Sequence, residues 1–250
     1  SEVATELPPK TEIVSVVEME GAQRDLYETI RVSMHNKIWQ AIDQKGIGRS
    51  KIIILDALLK LRQVCCHPQL LKIPSAQKVK HSAKLNQLME MLPEMVEEGR
   101  RILLFSQFTS MLAIIELELV KHKIGFVKLT GQTRNREIPI DEFQAGKVPV
   151  FLISLKAGGS GLNLTAADTV IHYDPWWNPA AENQATDRAH RIGQDKPVFV
   201  YKMITSGTVE EKIIQMQMKK QALADALFAE GSQGSAISNE DLQALFEPLG

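Results

Sequence analysis

The chain has 250 residues, with 29 Lys and Arg against 30 Asp and Glu, a formal net charge of -1. Hydrophobic residues make up 44% and charged residues 24%, which excludes disorder, collagen and a disulfide-built miniprotein and leaves room for one large core or two small ones. A near-zero sum also excludes a protein that grips nucleic acid by bulk positive charge, though not one with a local basic patch.

The 2 cysteines, Cys65 and Cys66, are adjacent. Vicinal cysteines rarely pair, so no disulfide framework is expected and a reducing, intracellular compartment fits best. No apolar run approaches the roughly 18 residues of a membrane span. The first residues, Ser-Glu-Val-Ala-Thr-Glu-Leu-Pro-Pro, lack the basic start and apolar block of a signal peptide. Without an initiator Met, the chain reads as processed or as excised from a longer protein.

Residues 1–20 read as an extended lead-in: Pro8-Pro9 blocks helix, and Ile13, Val14, Val16 and Val17 suit a strand. From Gln23 the spacing of Leu26, Tyr27, Ile30, Met34 and Ile38 is helical. Lys45-Gly-Ile-Gly-Arg-Ser50 breaks that helix. A second follows, with Ile54, Leu55, Leu58, Leu61 and Val64 on its inner side. It ends near His67-Pro68, because the residue before proline disfavours helical geometry. A polar linker over 74–80 closes a helical lead-in and protrusion subdomain, residues 1–80.

From Ser82 helices and strands alternate. Leu85, Leu88, Leu92, Met95 and Val96 mark a helix with an acidic outer face. Strands are expected at Ile102–Phe105, Phe126–Leu129, Val148–Ser154, Thr169–Tyr173 and Val198–Met203. Between them, helices are expected over Met111–Val120 and up to Gln144, with Pro139 in the latter's first turn. Asn178-Pro179 supplies an N-cap and a first-turn proline for a helix over Ala180–His190. Thr208-Val-Glu-Glu211 reads as a capping box opening a long helix to about Phe228. Gly231–Ser235 reads as a flexible joint before a last helix, Ser238–Phe246. Short apolar strands alternating with helices indicate an α/β fold, a parallel sheet with helices on both faces. Residues 81–205 form that lobe and residues 206–250 a C-terminal helical brace.

A parallel sheet binds ligands beyond the carboxyl ends of its strands, so the loops there are the candidate sites. After Val148–Ser154 comes Lys156-Ala-Gly-Gly-Ser-Gly-Leu-Asn163, whose glycines permit close backbone approach to a ligand or simply a tight strand-to-helix turn. After Thr169–Tyr173 comes Asp174-Pro-Trp-Trp-Asn-Pro179. Two adjacent tryptophans cannot both enter one core from a turn, so one is left to meet a base or sugar, or both wall off the sheet end. The third element is Gln184–Gln194. On a helix, Gln184, Arg188 and Arg191 share a face, and two forked guanidinium groups suit a polyphosphate. A solvated face paired with Glu182 and Asp187 is the plainer alternative. Cys65, Cys66 and His67 lack a second Cys/His pair at metal-ligand spacing, so no metal site is expected and their role is structural. His172 and His190 read as satisfied side chains near the sheet, with no nucleophile placed for triad chemistry.

Together these segments resemble the second RecA-like lobe of the Swi/Snf-type superfamily-two helicase-like ATPases, over nearly the whole chain. Leu7-Pro-Pro-Lys-Thr-Glu12, with Gln23 and Leu26-Tyr27, resembles that family's passage out of its first lobe. Leu61-Arg-Gln-Val-Cys-Cys-His-Pro68 resembles a Leu-Arg-x-x-Cys-x-His-Pro signature. Leu103–Phe108 is similar to motif IV, Leu152–Leu164 to motif V, Tyr173–Pro179 to the tryptophan segment, Gln184–Gln194 to motif VI, and Gly207–Lys212 to the start of the brace helix. The short linker between Leu71 and Ser82 resembles bacterial and archaeal members more than remodellers with long inserts.

The resemblance implies a DNA-dependent ATPase lobe that translocates on duplex DNA and remodels nucleoprotein complexes. Arg191 would be the arginine finger and Arg188 its close partner. Gly161, Asn163 and Gln184 would lie near the nucleotide, ATP. Ser106, Gln107, Gly131, Ser154 and Lys156 would touch the DNA backbone. Trp177 would lie at the DNA groove and couple hydrolysis to movement. Arg136 matches an arginine before a helix, without a clear role. No Gly-x-x-x-x-Gly-Lys-[Ser/Thr] loop and no acidic box for Mg2+ occur, so the chain is expected to be inactive alone, with the first lobe of the same protein holding ATP and Mg2+. The implied partners are that lobe, duplex DNA, and nucleoprotein, transcription or repair complexes, with no membrane. The implied location is cytoplasmic, nucleoid-associated in a prokaryote and nuclear in a eukaryote. Two alternatives are a non-catalytic RecA-like module that docks a partner protein, and an RNA helicase lobe, which the motif VI sequence disfavours. Residues 121–147 hold 6 basic and 3 acidic side chains, whereas residues 90–98 hold 4 acidic and none basic. The net charge therefore hides a basic surface suited to a phosphate backbone opposite an acidic exterior.

Overall fold

The computed structural model describes residues 6–157, 162–176, 178–219 and 238–249. Gly161, Trp177 and the segment around Phe228 and Gly231–Ser235 lie outside them. The strands are β1 (Lys10–Val17), β2 (Ile102–Ser106), β3 (Phe126–Leu129), β4 (Val150–Ser154), β5 (Thr169–His172) and β6 (Val198–Thr205). The helices are α1 (Gly21–Lys45), α2 (Lys51–Cys66), α3 (Pro74–Gln77), α4 (Ala83–Glu97), α5 (Thr109–Lys121), α6 (Glu137–Gln144), α7 (Pro179–Thr186), α8 (Val209–Lys219) and α9 (Asn239–Leu245). The chain divides into two compact units, Ser1–Ser15 with Asn86–Met203, and Val16–Leu85 with Ile204–Gly250.

The first unit is the sheet, in the order β1-β6-β5-β2-β4-β3. β2 pairs in parallel with both β4 and β5, β3 with β4, and β5 with β6. β1 joins beyond β6. The Val198 N–H donates to the Pro9 carbonyl and the Ser206 N–H to the Val17 carbonyl, an equal step along both strands, so this pairing is parallel too. Strands β2, β4 and β5 are buried at every position, as in a sheet covered on both faces. This is the α/β architecture expected from the alternating pattern, and it agrees with the RecA-like lobe that the resemblance implies. Leu103, Phe105, Phe151, Ile153, Val170 and Val200 form one cluster with Phe143 of α6 and Ala185 of α7.

The second unit is helical. Leu26, Tyr27, Ile30, Met34 and Ile38 of α1 are buried, as their spacing predicts. Ile54, Leu58, Leu61 and Val64 of α2 are buried likewise, with Leu55 half-buried. Gly46, at φ 78°, stops α1 in a conformation that costs a residue with a Cβ. Lys84 and Glu210 form an ion pair inside this unit at 2.7 Å, with side chains 0% and 1% exposed. Glu210 also accepts from the Thr205 N–H and hydroxyl, and the Tyr27 hydroxyl accepts from the Val209 N–H at 2.9 Å.

Two local expectations are corrected. The segment at 74–80 carries the short helix α3, with Ala76 buried. The start of α8 is not a reciprocal capping box. Thr208 Oγ1 accepts from the Glu210 N–H at 3.2 Å, and Glu211 reaches Gly207 N–H at 3.3 Å, one residue before the cap. The reciprocal box occurs instead at Ser238 and Asp241, at the start of α9.

Candidate functional site

All the sheet pairings run in parallel, so the strands end on one edge. Ser106 lies in register with Ser154, and Leu129 with Ile153. The residues read as DNA contacts therefore come together at the carboxyl ends of the neighbouring strands β2, β4 and β3. The chain turns from β3 through β4 to the far side of β2 here, the kind of switch point where parallel sheets hold ligands. Ser106 and Ser154 are themselves buried. Ser106 donates its hydroxyl to Asp174 Oδ1 at 2.5 Å, and Asp174 Oδ2 accepts the Gln107 N–H at 3.0 Å. Gln107 Nε2 donates to the Pro175 carbonyl at 2.5 Å. The carboxylate of Asp174 thus ties the loop after β2 to the loop after β5. Sequence reasoning gave Asp174 no role. Its only signal was its place just after the end of β5, one proline before the tryptophan pair.

Gln107 is half-buried, and Lys156 and Gly131 are exposed. A Cβ at Gly131 would meet nothing within 4 Å, so the protein's own packing does not require glycine there. Trp176 is half-buried, and its N–H donates to Glu182 Oε2 at 3.1 Å. Glu182 in turn pairs with Lys202 at 2.9 Å.

The second group forms around a cavity of about 630 Å³. Gln184, Asp187, Arg188 and Arg191 line its polar side, and Leu7, Leu162 and Ile192 contribute apolar wall. The sequence placed the two arginines on one helix face, and the structure does not. Helix α7 ends at Thr186, short of the expected His190. Past Thr186 the ladder tightens to three-residue steps, the Arg188 N–H donating to the Ala185 carbonyl at 3.3 Å and the Ala189 N–H to the Thr186 carbonyl at 3.1 Å. The Leu164 N–H donates to the Arg188 carbonyl at 3.0 Å and Gln194 Nε2 to the Ala189 carbonyl at 3.0 Å, which hold the turn that follows. Gly193, at φ 102°, completes the turn. Gln184 therefore stands on α7, while Arg188 and Arg191 stand on the turn that follows, and all three still reach one cavity.

Arg191 Nη1 donates to the Leu162 carbonyl at 3.1 Å. Arg136, which precedes α6, donates through Nη2 to the Ala157 carbonyl. Burial, then the charges of Arg191 and Arg136, hold Arg188 below the usual arginine range, with Asp187 opposing them. Two further guanidinium groups, close enough to disfavour the charge on Arg188, give this site an excess of positive charge that suits an anion. That surplus fits a polyphosphate, and the donor set of forked N–H groups fits its oxygens. Asn163 is exposed nearby in sequence, its Oδ1 accepting the Thr165 N–H at 3.2 Å. His190 is held as expected of a satisfied side chain, its Nε2 donating to the Pro8 carbonyl at 2.8 Å. His172 is buried, bonded to Thr186 Oγ1 and stacked on Phe105 at 5.5 Å. Burial pushes its pKa down to about 4. Among the described residues no group of three or more His, Cys, Asp or Glu side chains could hold a metal, and no helix is long and apolar enough to cross a membrane.

The sequence matches the helicase conserved C-terminal domain over residues 83–193 and the SNF2-related domain over residues 1–70. It is 39% identical over 250 residues to YwqA of Bacillus subtilis, across 98% of this chain and 27% of that protein. It is 35% identical over 258 residues to the human SWI/SNF-related matrix-associated actin-dependent regulator of chromatin subfamily A member 1, across 97% of this chain and 24% of that protein. The chain thus spans about a quarter of the length of these curated relatives. Among solved structures it is similar to the C-terminal domain of a Sulfolobus solfataricus SWI2/SNF2 ATPase, with TM-score 0.73 and 32% identity, across 96% of this chain and 99% of that one. It is also similar to the SWI2/SNF2 ATPase core of the same organism in complex with dsDNA, with TM-score 0.77 and 32% identity, across 98% of this chain and 51% of that one.

Proposed function

The chain belongs to the Swi/Snf-type superfamily-two helicase-like ATPases, and on that premise we propose that it is the second motor lobe of a DNA-dependent ATPase that moves along duplex DNA. The observation that carries this reading is the arginine cavity. Arg188 and Arg191 meet there with Gln184, and Arg136 adds to the positive field.

Arg191 is the finger. Its guanidinium is held through Nη1 by the Leu162 carbonyl, which leaves its other N–H groups for a phosphate oxygen. Arg188, largely buried, lines the same cavity and adds positive charge there. ATP, with Mg2+ on the first lobe, supplies the phosphoryl group. An arginine so placed stabilises charge on that group in the transition state and is worth about 10³–10⁵ in rate. Gln184 orients the polar side of the cavity, and Asn163 lies on the loop that ends beside it.

The strand edge carries the DNA. Beside Gln107, Gly131 offers its backbone N–H and Lys156 its charge to phosphates, contacts that position without reading sequence. Buried Ser106 and Ser154 hold that edge in shape, and Trp177, by its resemblance to the family's tryptophan segment, couples hydrolysis to movement. The dsDNA complex of a similar SWI2/SNF2 ATPase core from Sulfolobus solfataricus supports duplex DNA as the track.

The test is Arg191→Ala in the full-length protein, read as DNA-stimulated ATP hydrolysis. A loss of about 10³-fold or more in kcat is expected. Hydrolysis that survives within about tenfold overturns the finger assignment.

A further inference from the structure

The arginine cavity is also lined by apolar side chains. Leu7 and Ile192 are large hydrophobic side chains left 57% and 65% exposed, and both line this cavity together with Leu162. Exposing them forgoes about 25 cal/mol for each Å² of apolar surface that could be buried. A nucleoside triphosphate has the same division, anionic at one end and flat and weakly polar at the other.

The placing of Leu7 is deliberate in the fold. It precedes Pro8 and Pro9, which have fixed φ and no N–H to donate, so the segment can be anchored only through its carbonyls. The Pro8 carbonyl accepts from His190 Nε2 at 2.8 Å, and the Pro9 carbonyl accepts from the Val198 N–H at 3.0 Å. His190 belongs to the turn that carries Arg188 and Arg191. One turn therefore presents the arginines and also fixes the segment that presents Leu7.

We propose that Leu7 and Ile192 form the wall for the nucleoside end of the nucleotide whose phosphates meet Arg188 and Arg191, and that His190 is the positioning residue that holds Leu7 in that wall. This rests on the assignment of the arginines to a nucleotide, and the experiment separates the two.

The full-length protein is assayed with ATP at saturating DNA, with inorganic tripolyphosphate as a competitive inhibitor that lacks a nucleoside. Leu7→Ala and Ile192→Ala are expected to raise the KM for ATP about 3- to 10-fold, with kcat falling less than about twofold, and to leave tripolyphosphate inhibition unchanged. Leu7 is exposed, so its truncation carries no folding penalty that could mimic the effect. His190→Ala is expected to reproduce the Leu7→Ala profile. His190→Gln, which keeps a side-chain N–H, is expected to restore KM to within about twofold. Leu7→Ala and Ile192→Ala that leave the KM for ATP unchanged, or weaken tripolyphosphate as much as ATP, overturn the wall. His190→Ala that lowers kcat with KM unchanged, or His190→Gln that fails to restore KM, overturns the positioning role. Arg191→Ala that leaves tripolyphosphate inhibition unchanged overturns instead the underlying assignment of the arginines.

Discussion

Lys84→Met tests the strongest electrostatic feature of the helical unit. The Lys84 ammonium and the Glu210 carboxylate are 2.7 Å apart with almost no solvent access. Glu210 Oε1 is occupied by the Thr205 N–H at 3.0 Å and the Thr205 hydroxyl at 2.8 Å. Removing the ammonium leaves a buried carboxylate with those two donors and no countercharge from Lys84. Breaking a buried pair from one side costs about 3–5 kcal/mol, because the remaining charge has lost both water and partner. Glu210→Leu is expected to cost as much. The double variant Lys84→Met/Glu210→Leu removes both charges and loses only the acceptor for Thr205, about 1–3 kcal/mol. It should therefore be more stable than either single variant. Urea unfolding followed by circular dichroism and by the fluorescence of Trp39, which lies in the same unit, measures all three. Additive losses, or a Lys84→Met cost below about 1 kcal/mol as for an exposed pair, would refute a buried, coupled interaction.

Three further outcomes are expected. His172 is held neutral by burial down to a pKa of about 4. The unfolded chain binds that proton near 6.5 and the folded chain does not, so stability is full above pH 6.5 and falls by about 3 kcal/mol as the pH drops to 4. His172→Gln should flatten the urea stability profile over that range by this amount, and parallel profiles would contradict it. Burial, then the charge of Glu210, pushes the Cys65 thiol up to about 12, and Cys66 is buried beside it. Neither should react with a thiol reagent at pH 8 until urea unfolds the chain, and rapid native labelling of either would count against the packing. Asp174→Ala removes the acceptor of the Ser106 hydroxyl and the Gln107 N–H and should destabilise by about 2–4 kcal/mol. Asp174→Asn keeps one carbonyl acceptor and should cost less than half as much in the same urea assay; equal costs would show that the hydrogen bonds are not the cause.

What the sequence carried by itself is what depends on near neighbours along the chain. The period of Leu26, Tyr27, Ile30, Met34 and Ile38 placed α1, and unbroken apolar runs placed β2, β4 and β5, because both patterns report only which face is dry. The Asn178 cap, with its Oδ1 on the Ala180 N–H at 3.0 Å, was legible because a cap is satisfied within a few residues. Gln184, Arg188 and Arg191 do line one cavity, but the shared helix face that grouped them in the sequence ends at Thr186.

Tertiary structure decided the rest. The turn after α7 is held through the carbonyls of Arg188 and Ala189, and their donors belong to Leu164 and Gln194. The same is true of Asp174 with Ser106, of His190 with Pro8, which stand 182 residues apart in the chain, and of Lys84 with Glu210, 126 apart. Such partners are chosen by strand order and register, which bring distant polar groups to one buried place where each must be paired. Sequence periodicity reports which side of an element is buried. It does not report which other element lies against it, and that second fact made a cavity out of two arginines, a histidine and an incoming pair of prolines.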